Sequence, residues 1–306
     1  MPDLRVQLGS LTLPNPVLVA AGTFGYGVEF AKAVPLDRLG AVITKTLTRR
    51  PREGNPPPRL VETPSGMLNA VGLQNMGIDA FLQDTLPQLR GARVIVSVLG
   101  EAEDELAAMV QQLDRADGVA ALEINLSCPN IRHQGGNGRR MVAQDAEATF
   151  AMVQAARRST AKPIIAKLSP EVTDLAPIAQ AAERAGAAAL SLVNTFIGMS
   201  IDPATRRSRL GVMTGGLSGP AIRPLALYRV WYTAQAVQVP IIGLGGIVRT
   251  EDALEFFLAG ASAVAVGTAN FADPRAALRI LQGLQRHLER AKLASLSELR
   301  GTVQAP

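Results

Sequence analysis

Short β-branched or apolar runs alternate with amphipathic stretches along the whole chain. Read as strands, the runs are Pro16–Ala20, Ala41–Lys45, Val94–Val98, Ala121–Asn125, Ile164–Lys167, Ala188–Val193, Ile241–Gly243 and Ala263–Val266. The stretches between and after them carry apolar residues at helical spacing: Val28–Val34, Ile78–Leu89, Ala102–Ala116, Ala146–Ser159, Asp174–Ala185, Pro220–Val237, Glu251–Ala259 and Pro274–Ala291. Eight consecutive strand–helix units are the number that closes a parallel barrel, so the pattern predicts an α/β protein, a (β/α)8 TIM barrel. The 306 residues fit one such domain spanning 1–306.

Two features sit outside the repeat. Arg5 to Leu13 reads as an N-terminal β-hairpin turning at Gly9-Ser10, placed to cap the bottom of the barrel. Three strand-to-helix connections are long: Thr46 to Gly77 with Pro56-Pro57-Pro58, Leu126 to about Asp145 with Gly135-Gly136-Asn137-Gly138, and Asn194 to Gly219. All three leave the C-terminal ends of strands, the face on which barrel enzymes build their active sites. The reverse connections are short, and that asymmetry points to an enzyme.

Composition narrows the chemistry. Hydrophobic residues make up 47% and aromatics only 4%, a mixture of Ala, Val, Leu and Ile suited to strands buried on both faces. The net charge of +5 is spread out. Its densest groups, Arg49-Arg50-Arg52 and Arg206-Arg207-Arg209, lie in Gly/Pro-rich loops with no aromatic interleaving, so small anions are expected as ligands rather than nucleic acid. Cys128 is the sole cysteine, which leaves no disulfide within the chain and no four-cysteine ligation of an iron–sulfur cluster; such a carrier would have to sit on another chain. His133 and His287 are far apart, so no metal site is expected. With no signal pattern at the N-terminus and no membrane-length apolar run, a cytoplasmic protein is expected.

Candidate chemistry collects at strand ends. The seventh and eighth strands run into Gly243-Leu244-Gly245-Gly246-Ile247 and Val266-Gly267-Thr268-Ala269, at the two connections where barrels commonly bind phosphate. Gly215-Gly216-Leu217-Ser218-Gly219-Pro220 offers further amide donors. Lys45 and Lys167 each finish an apolar strand, where a lysine either snorkels to solvent or meets an anion. A cation there would also stabilise negative charge on a reduced flavin ring. Asn125-Leu126-Ser127-Cys128-Pro129-Asn130 leaves the fourth strand. A lone cysteine is most often a small buried hydrophobe, but this one opens a Gly-rich loop at the functional face and is a candidate nucleophile or base. Asn69, Asn125, Asn130 and Asn194, with Thr195, would suit a flat heterocycle with imide groups.

In order and spacing, Thr44-Lys45-Thr46, Gly66 to Asn75, Asn125 to Asn130, Val193-Asn194-Thr195, Gly215 to Ala221, Gly243 to Ile247 and Gly267-Thr268 resemble the class 1 dihydroorotate dehydrogenases over nearly the full chain, most of all the class 1B catalytic subunits. The resemblance implies oxidation of dihydroorotate to orotate, with Cys128 as the base acting on C5 and hydride passing from C6 to one FMN per chain. It implies a substrate site of Lys45, Asn69, Ala70, Val71, Gly72, Leu73, Asn125, Asn130, Asn194 and Thr195. It places FMN across Ala21, Lys45, Thr46, Asn125, Lys167, Val193, Gly219, Gly245, Gly246, Gly267 and Thr268. It further implies a homodimer within a heterotetramer, whose second subunit carries FAD and a [2Fe–2S] cluster and delivers electrons to NAD+.

Two positions depart from the family pattern. Ser97 replaces the usual Asn on the third strand, so one FMN hydrogen bond is expected to be shorter or bridged by water. The loop after Cys128 has Asn137-Gly138-Arg139-Arg140-Met141 where an aromatic is usual, which makes Arg139 and Arg140 candidates for the substrate carboxylate or the partner subunit. Other readings are a dihydropyrimidine dehydrogenase-like subunit acting on a substrate without the carboxylate, a tRNA dihydrouridine synthase, which needs an RNA-binding appendage, and a barrel kept only for binding.

Overall fold

The computed structural model describes residues 2–127 and 141–305. Eight parallel strands close a barrel: β1 (Val17–Val19), β2 (Ala41–Ile43), β3 (Val94–Val98), β4 (Val119–Asn125), β5 (Ile164–Lys167), β6 (Ala189–Leu192), β7 (Ile241–Gly243) and β8 (Ala263–Val266). Val264 of β8 pairs with Val17 of β1, so the sheet has no edge. Each strand falls on one of the apolar runs, with its ends shifted by a residue or two. Lys45, expected at the end of β2, lies two residues past it, where its N–H donates to the Gly25 carbonyl at 2.8 Å.

The strand register sets what fills the barrel. Because the strands are tilted, a level line round the barrel climbs about one residue per strand relative to the hydrogen-bonded partner. Inward side chains therefore stack in layers of four from alternate strands. The lowest layer is Ala41, Ala121, Ala189 and Ala263, and above it lie Leu18, Ile95, Ile165 and Ile242. The third layer is Ile43, Glu123, Ser191 and Ala265, and the fourth is Ala20, Ser97, Lys167 and Leu244. The interior is thus aliphatic below and polar above.

The small alanines at the bottom leave space that the N-terminal hairpin occupies. Its arms, Val6–Leu8 and Leu11–Leu13, pair antiparallel, and Leu8, Leu11 and Leu13 join the same apolar cluster as the inward strand positions. Gly9 has φ +61°, and a Cβ there would stand 2.6 Å from the Ala188 Cβ, so the turn needs glycine for both its conformation and its closeness to the base of β6.

Among the described residues, six regular helices cover the outside at Glu103–Asp114, Ala146–Arg158, Ala176–Arg184, Arg223–Ala234, Thr250–Leu258 and Ala276–Ala291. Each presents an apolar stripe to the strands; Leu106, Met109, Val110 and Leu113 form one such stripe. The Asp145 carboxylate caps its helix by accepting from the amides of Glu147 and Ala148. Two expected helices are not regular. Val28–Val34 contains only a 3-10 turn at Val28–Phe30, following Gly25 and Gly27 at positive φ. Ile78–Leu89 begins as an α-turn, widens to a π-helix at Phe81–Thr85 and ends as a 3-10 turn, because Pro87 has no N–H to continue an α-helical ladder.

The long connections also contain strands that periodicity did not reveal. Phe196–Gly198, Gly215–Ser218, Gly66–Asn69 and Leu60–Thr63 pair in that order as an antiparallel sheet beside the barrel mouth. Gly215 and Gly216, expected as anion donors, are instead central in this sheet, and Gly216 pairs with both Ile197 and Asn69. A Cβ on Gly216 would overlap the Thr195 side chain, and one on Gly215 would stand 2.7 Å from the Asn69 carbonyl, so these glycines serve close packing. Among the described residues no helix is long and apolar enough to cross a membrane.

If the hairpin is the floor on which the layers stand, truncating its buried Leu13 should cost about 2–5 kcal/mol. Leu13→Ala should lower the thermal midpoint clearly in a melt followed by circular dichroism, and an unchanged midpoint would show that the hairpin is peripheral.

Candidate active site

Above the fourth layer the barrel opens into a cleft of about 470 Å³, lined by the C-terminal ends of the strands and by the small sheet. A volume of this order holds a cofactor or substrate-sized ligand. Lys167, from β5, is only 5% exposed, and its ammonium group makes no ion pair or hydrogen bond with the described residues. Burial without a partner is costly for a lysine, so Lys167 marks a place for negative charge. Lys45 enters from the end of β2.

A hydrogen-bonded floor joins the polar side chains. The Thr46 and Ser97 hydroxyls lie 3.0 Å apart, the Asn125 amide donates to Thr46 Oγ1 at 3.1 Å, and the Ser127 hydroxyl donates to Asn125 Oδ1 at 3.0 Å. The Asn194 amide donates to Ser127 Oγ at 2.7 Å, and the Thr195 N–H donates to Asn194 Oδ1 at 2.8 Å. Asn69, on the small sheet, donates to the Gly216 carbonyl at 3.2 Å, which ties the sheet's central pair to the cleft. Behind the wall, the Tyr26 hydroxyl accepts from the Met76 N–H at 3.1 Å and anchors the connection that carries Asn69. Burial pushes the Tyr26 phenol above its ordinary pKa, so it keeps its proton at neutral pH.

Across the cleft, the ends of β7 and β8 form a glycine ledge. Gly245 and Gly246 have φ of +134° and +74°, backbone that favours glycine. The amides of Gly245, Gly246, Gly267 and Thr268 find no acceptor among the described residues. Gly267 is not required by packing, since the nearest atoms to a Cβ there are Ala20 Cβ at 3.8 Å and Thr23 Cγ2 at 4.0 Å. A side chain at Gly267 would instead stand in the cleft. The Thr268 hydroxyl donates to Ser218 Oγ at 2.8 Å and closes the ledge against the small sheet.

All eleven residues expected to hold a cofactor line this one cleft: Ala21, Lys45, Thr46, Asn125, Lys167, Val193, Gly219, Gly245, Gly246, Gly267 and Thr268. Of those expected to hold a substrate, Lys45, Asn69, Ala70, Val71, Gly72, Leu73, Asn125, Asn194 and Thr195 line it too. Cys128, Asn130, Arg139 and Arg140 lie outside the described residues. Ser97 does not reach the cleft. It is fully buried and hydrogen-bonded to Thr46 and Glu123. Sequence reasoning passed over Glu123 and the linking role of Ser127. A charged residue amid the apolar Val119-Ala120-Ala121-Leu122 and Ile124 of a barrel strand was the available signal.

The family model for dihydroorotate dehydrogenase matches residues 3–288. A Geotalea uraniireducens protein is 53% identical over 304 residues, covering 99% of this chain and 98% of its own. A Geobacter sulfurreducens protein is 51% identical over 305 residues, covering 99% of each. Both are described as dihydroorotate dehydrogenase B (NAD(+)), catalytic subunit. The similarity runs through every strand end that builds the cleft, and the chain belongs to the dihydroorotate dehydrogenase family.

Proposed function

We propose that this chain binds one FMN and oxidises (S)-dihydroorotate to orotate, in the pathway to UMP. The observation that carries the reading is that a glycine ledge and a buried lysine, neither with a partner for its N–H groups among the described residues, share one cleft with a row of neutral amides. FMN needs that combination. The ledge amides of Gly245, Gly246, Gly267 and Thr268 would hold its phosphate, and the open position at Gly267 gives the group room to approach. Lys167 would sit against its ring system, where a cation favours reduction.

When bound, FMN supplies the acceptor for the hydride leaving C6 of the substrate. The rest of the chemistry belongs to the protein. Lys45 and the amides of Asn69, Asn125, Asn130 and Asn194, with Thr195 and the Ala70–Leu73 backbone, would hold the carboxylate and the imide edge. Cys128 would take the C5 proton. It follows Ser127, whose hydroxyl is fixed between Asn125 and Asn194, so the chain leading to Cys128 leaves the barrel at the cleft.

The electrons are passed on through a partner subunit carrying FAD and a [2Fe–2S] cluster to NAD+, in a cytoplasmic heterotetramer built on a homodimer of this chain. With Cys128 the sole cysteine, the cluster belongs on the partner. Exposed Ile197, Met199, Ile201 and Met213 on the small sheet and its neighbouring loops, and Leu225, Tyr228 and Trp231 on the helix Arg223–Ala234, offer apolar surface for subunit contacts.

Mixing the purified yellow protein anaerobically with dihydroorotate should bleach the flavin band near ~450 nm. Bleaching by dihydrouracil alone would transfer the protein to the dihydropyrimidine dehydrogenase class, and a protein that takes up no FMN would end the reading. Cys128→Ala should bind FMN and orotate yet reduce flavin at least about a hundredfold more slowly. In the unsubstituted protein the rate should rise with pH towards the ordinary thiol pKa of about 8.5, because only the thiolate accepts a proton. A Cys128→Ala reduction rate like the parent's would remove Cys128 from the mechanism.

A further inference from the structure

The cleft wall that follows Asn69 turns on left-handed backbone. Gly72 and Leu73 have φ of +75° and +58°. Glycine enters that region freely, but leucine does so at a cost, because its Cβ crowds the backbone. Of the four non-glycine residues at positive φ among the described residues, only Leu73 lines the cleft. Strain of this kind persists only where the surroundings hold it.

The hydrogen bonds around the turn single out one side chain. On the N-terminal side, the Ala70 N–H donates to the Arg59 carbonyl at 2.8 Å and the Asn55 N–H to the Val71 carbonyl at 3.0 Å. On the C-terminal side, the backbones of Arg52 and Asn75 exchange two hydrogen bonds, at 2.9 and 3.1 Å. Between them, the backbone of Gly72, Leu73 and Gln74 makes a single hydrogen bond among the described residues. It runs from Asn75 Nδ2 to the Leu73 carbonyl at 2.8 Å.

The Asn75 amide is buried and uses all of its hydrogen-bonding positions. Its Oδ1 accepts from the Thr48 N–H at 3.2 Å and the Gly77 N–H at 2.9 Å, which settles the end that meets Leu73. Its Nδ2 donates to Thr48 Oγ1 at 2.9 Å as well as to Leu73. Thr48 lies on the connection leaving β2, so the amide fastens the turn to the barrel. The N–H groups of Val71, Gly72 and Leu73, by contrast, find no acceptor among the described residues, and all three residues line the cleft.

We propose that Asn75 is a positioning residue for the ligand. By holding the Leu73 carbonyl it keeps Gly72 and Leu73 left-handed, and so keeps this run of N–H groups at the cleft wall. Successive backbone N–H groups in a tight turn suit an anionic oxygen, here the substrate carboxylate. Asn75 does not itself line the cleft, so it acts only through the turn. The inference rests on the substrate reading above and adds the residue that sets one wall of its site.

The test uses the FMN-loaded protein at about pH 8, where an aspartate is ionised, with orotate affinity read from the change in flavin absorbance. Asn75→Asp keeps an oxygen to accept from Thr48 and Gly77, but it presents a second oxygen to the Leu73 carbonyl in place of a donor. It should take up FMN as the parent does and bind orotate at least about tenfold more weakly. The same substitution is then made in Leu73→Gly, whose turn adopts positive φ without strain. There it should cost about threefold or less in orotate affinity, because the turn depends less on the asparagine. An added negative charge, or a general loosening of the wall, would weaken orotate equally on both backgrounds. Equal losses on the two, unchanged orotate affinity in Asn75→Asp, or loss of FMN uptake by that variant would each overturn the proposal and leave the substrate reading standing. A parent protein that holds FMN but does not bind orotate would overturn the substrate reading and this proposal with it.

Discussion

A closed barrel must fill its own interior, and where the filling changes from carbon to polar atoms decides everything above it. In this chain the change falls at the third layer. Below it stand four alanines, the leucines of the N-terminal hairpin and a tier of Leu18, Ile95, Ile165 and Ile242. This lower half is dry and close-packed, so it fixes the strand register from which the upper side chains project. Above it, Glu123, Ser191, Ser97 and Lys167 occupy positions that would otherwise be aliphatic. Such groups are tolerable in the interior only where they are hydrogen-bonded or meet a ligand.

The cleft follows from that arrangement. Residues far apart in sequence are brought level by strand tilt, so Thr46, Ser97, Asn125 and Asn194 make one hydrogen-bonded floor. The ends of β7 and β8 contribute backbone donors in place of side chains, and the small antiparallel sheet forms a wall carrying Asn69. The two lysines supply positive charge where side chains are sparse. One cleft thus brings together backbone N–H groups, a buried cation and a row of neutral amides. These are the demands that oxidation of dihydroorotate by bound FMN would make.

The barrel was legible because strands buried on both faces must be continuously apolar, and the eight runs from Pro16–Ala20 to Ala263–Val266 have no competing reading. The hairpin was legible from Gly9-Ser10 between alternating residues. The π and 3-10 turns over 81–89 were not, because helical spacing is insensitive to local widening and Pro87 acts on the turns around it. The small sheet stayed hidden because its strands are three or four residues long and two of its central positions are glycines, seated there by contacts with Thr195 and Asn69. Among site residues, strand-end lysines and asparagines could be picked out by type. Ser97 was assigned to the cofactor by resemblance, and only the strand register shows that it faces Glu123 inside the barrel.

On the proposed reading the cleft is built around a phosphorylated flavin, with the phosphate on the ledge at the ends of β7 and β8. The most direct measurement is equilibrium binding of FMN and of riboflavin to the flavin-free protein, followed by flavin fluorescence. Two or more charge-assisted hydrogen bonds to the phosphate should make FMN bind at least about a hundredfold more tightly than riboflavin. Equal affinity for the two would place the phosphate away from Gly245, Gly246, Gly267 and Thr268 and contradict the account.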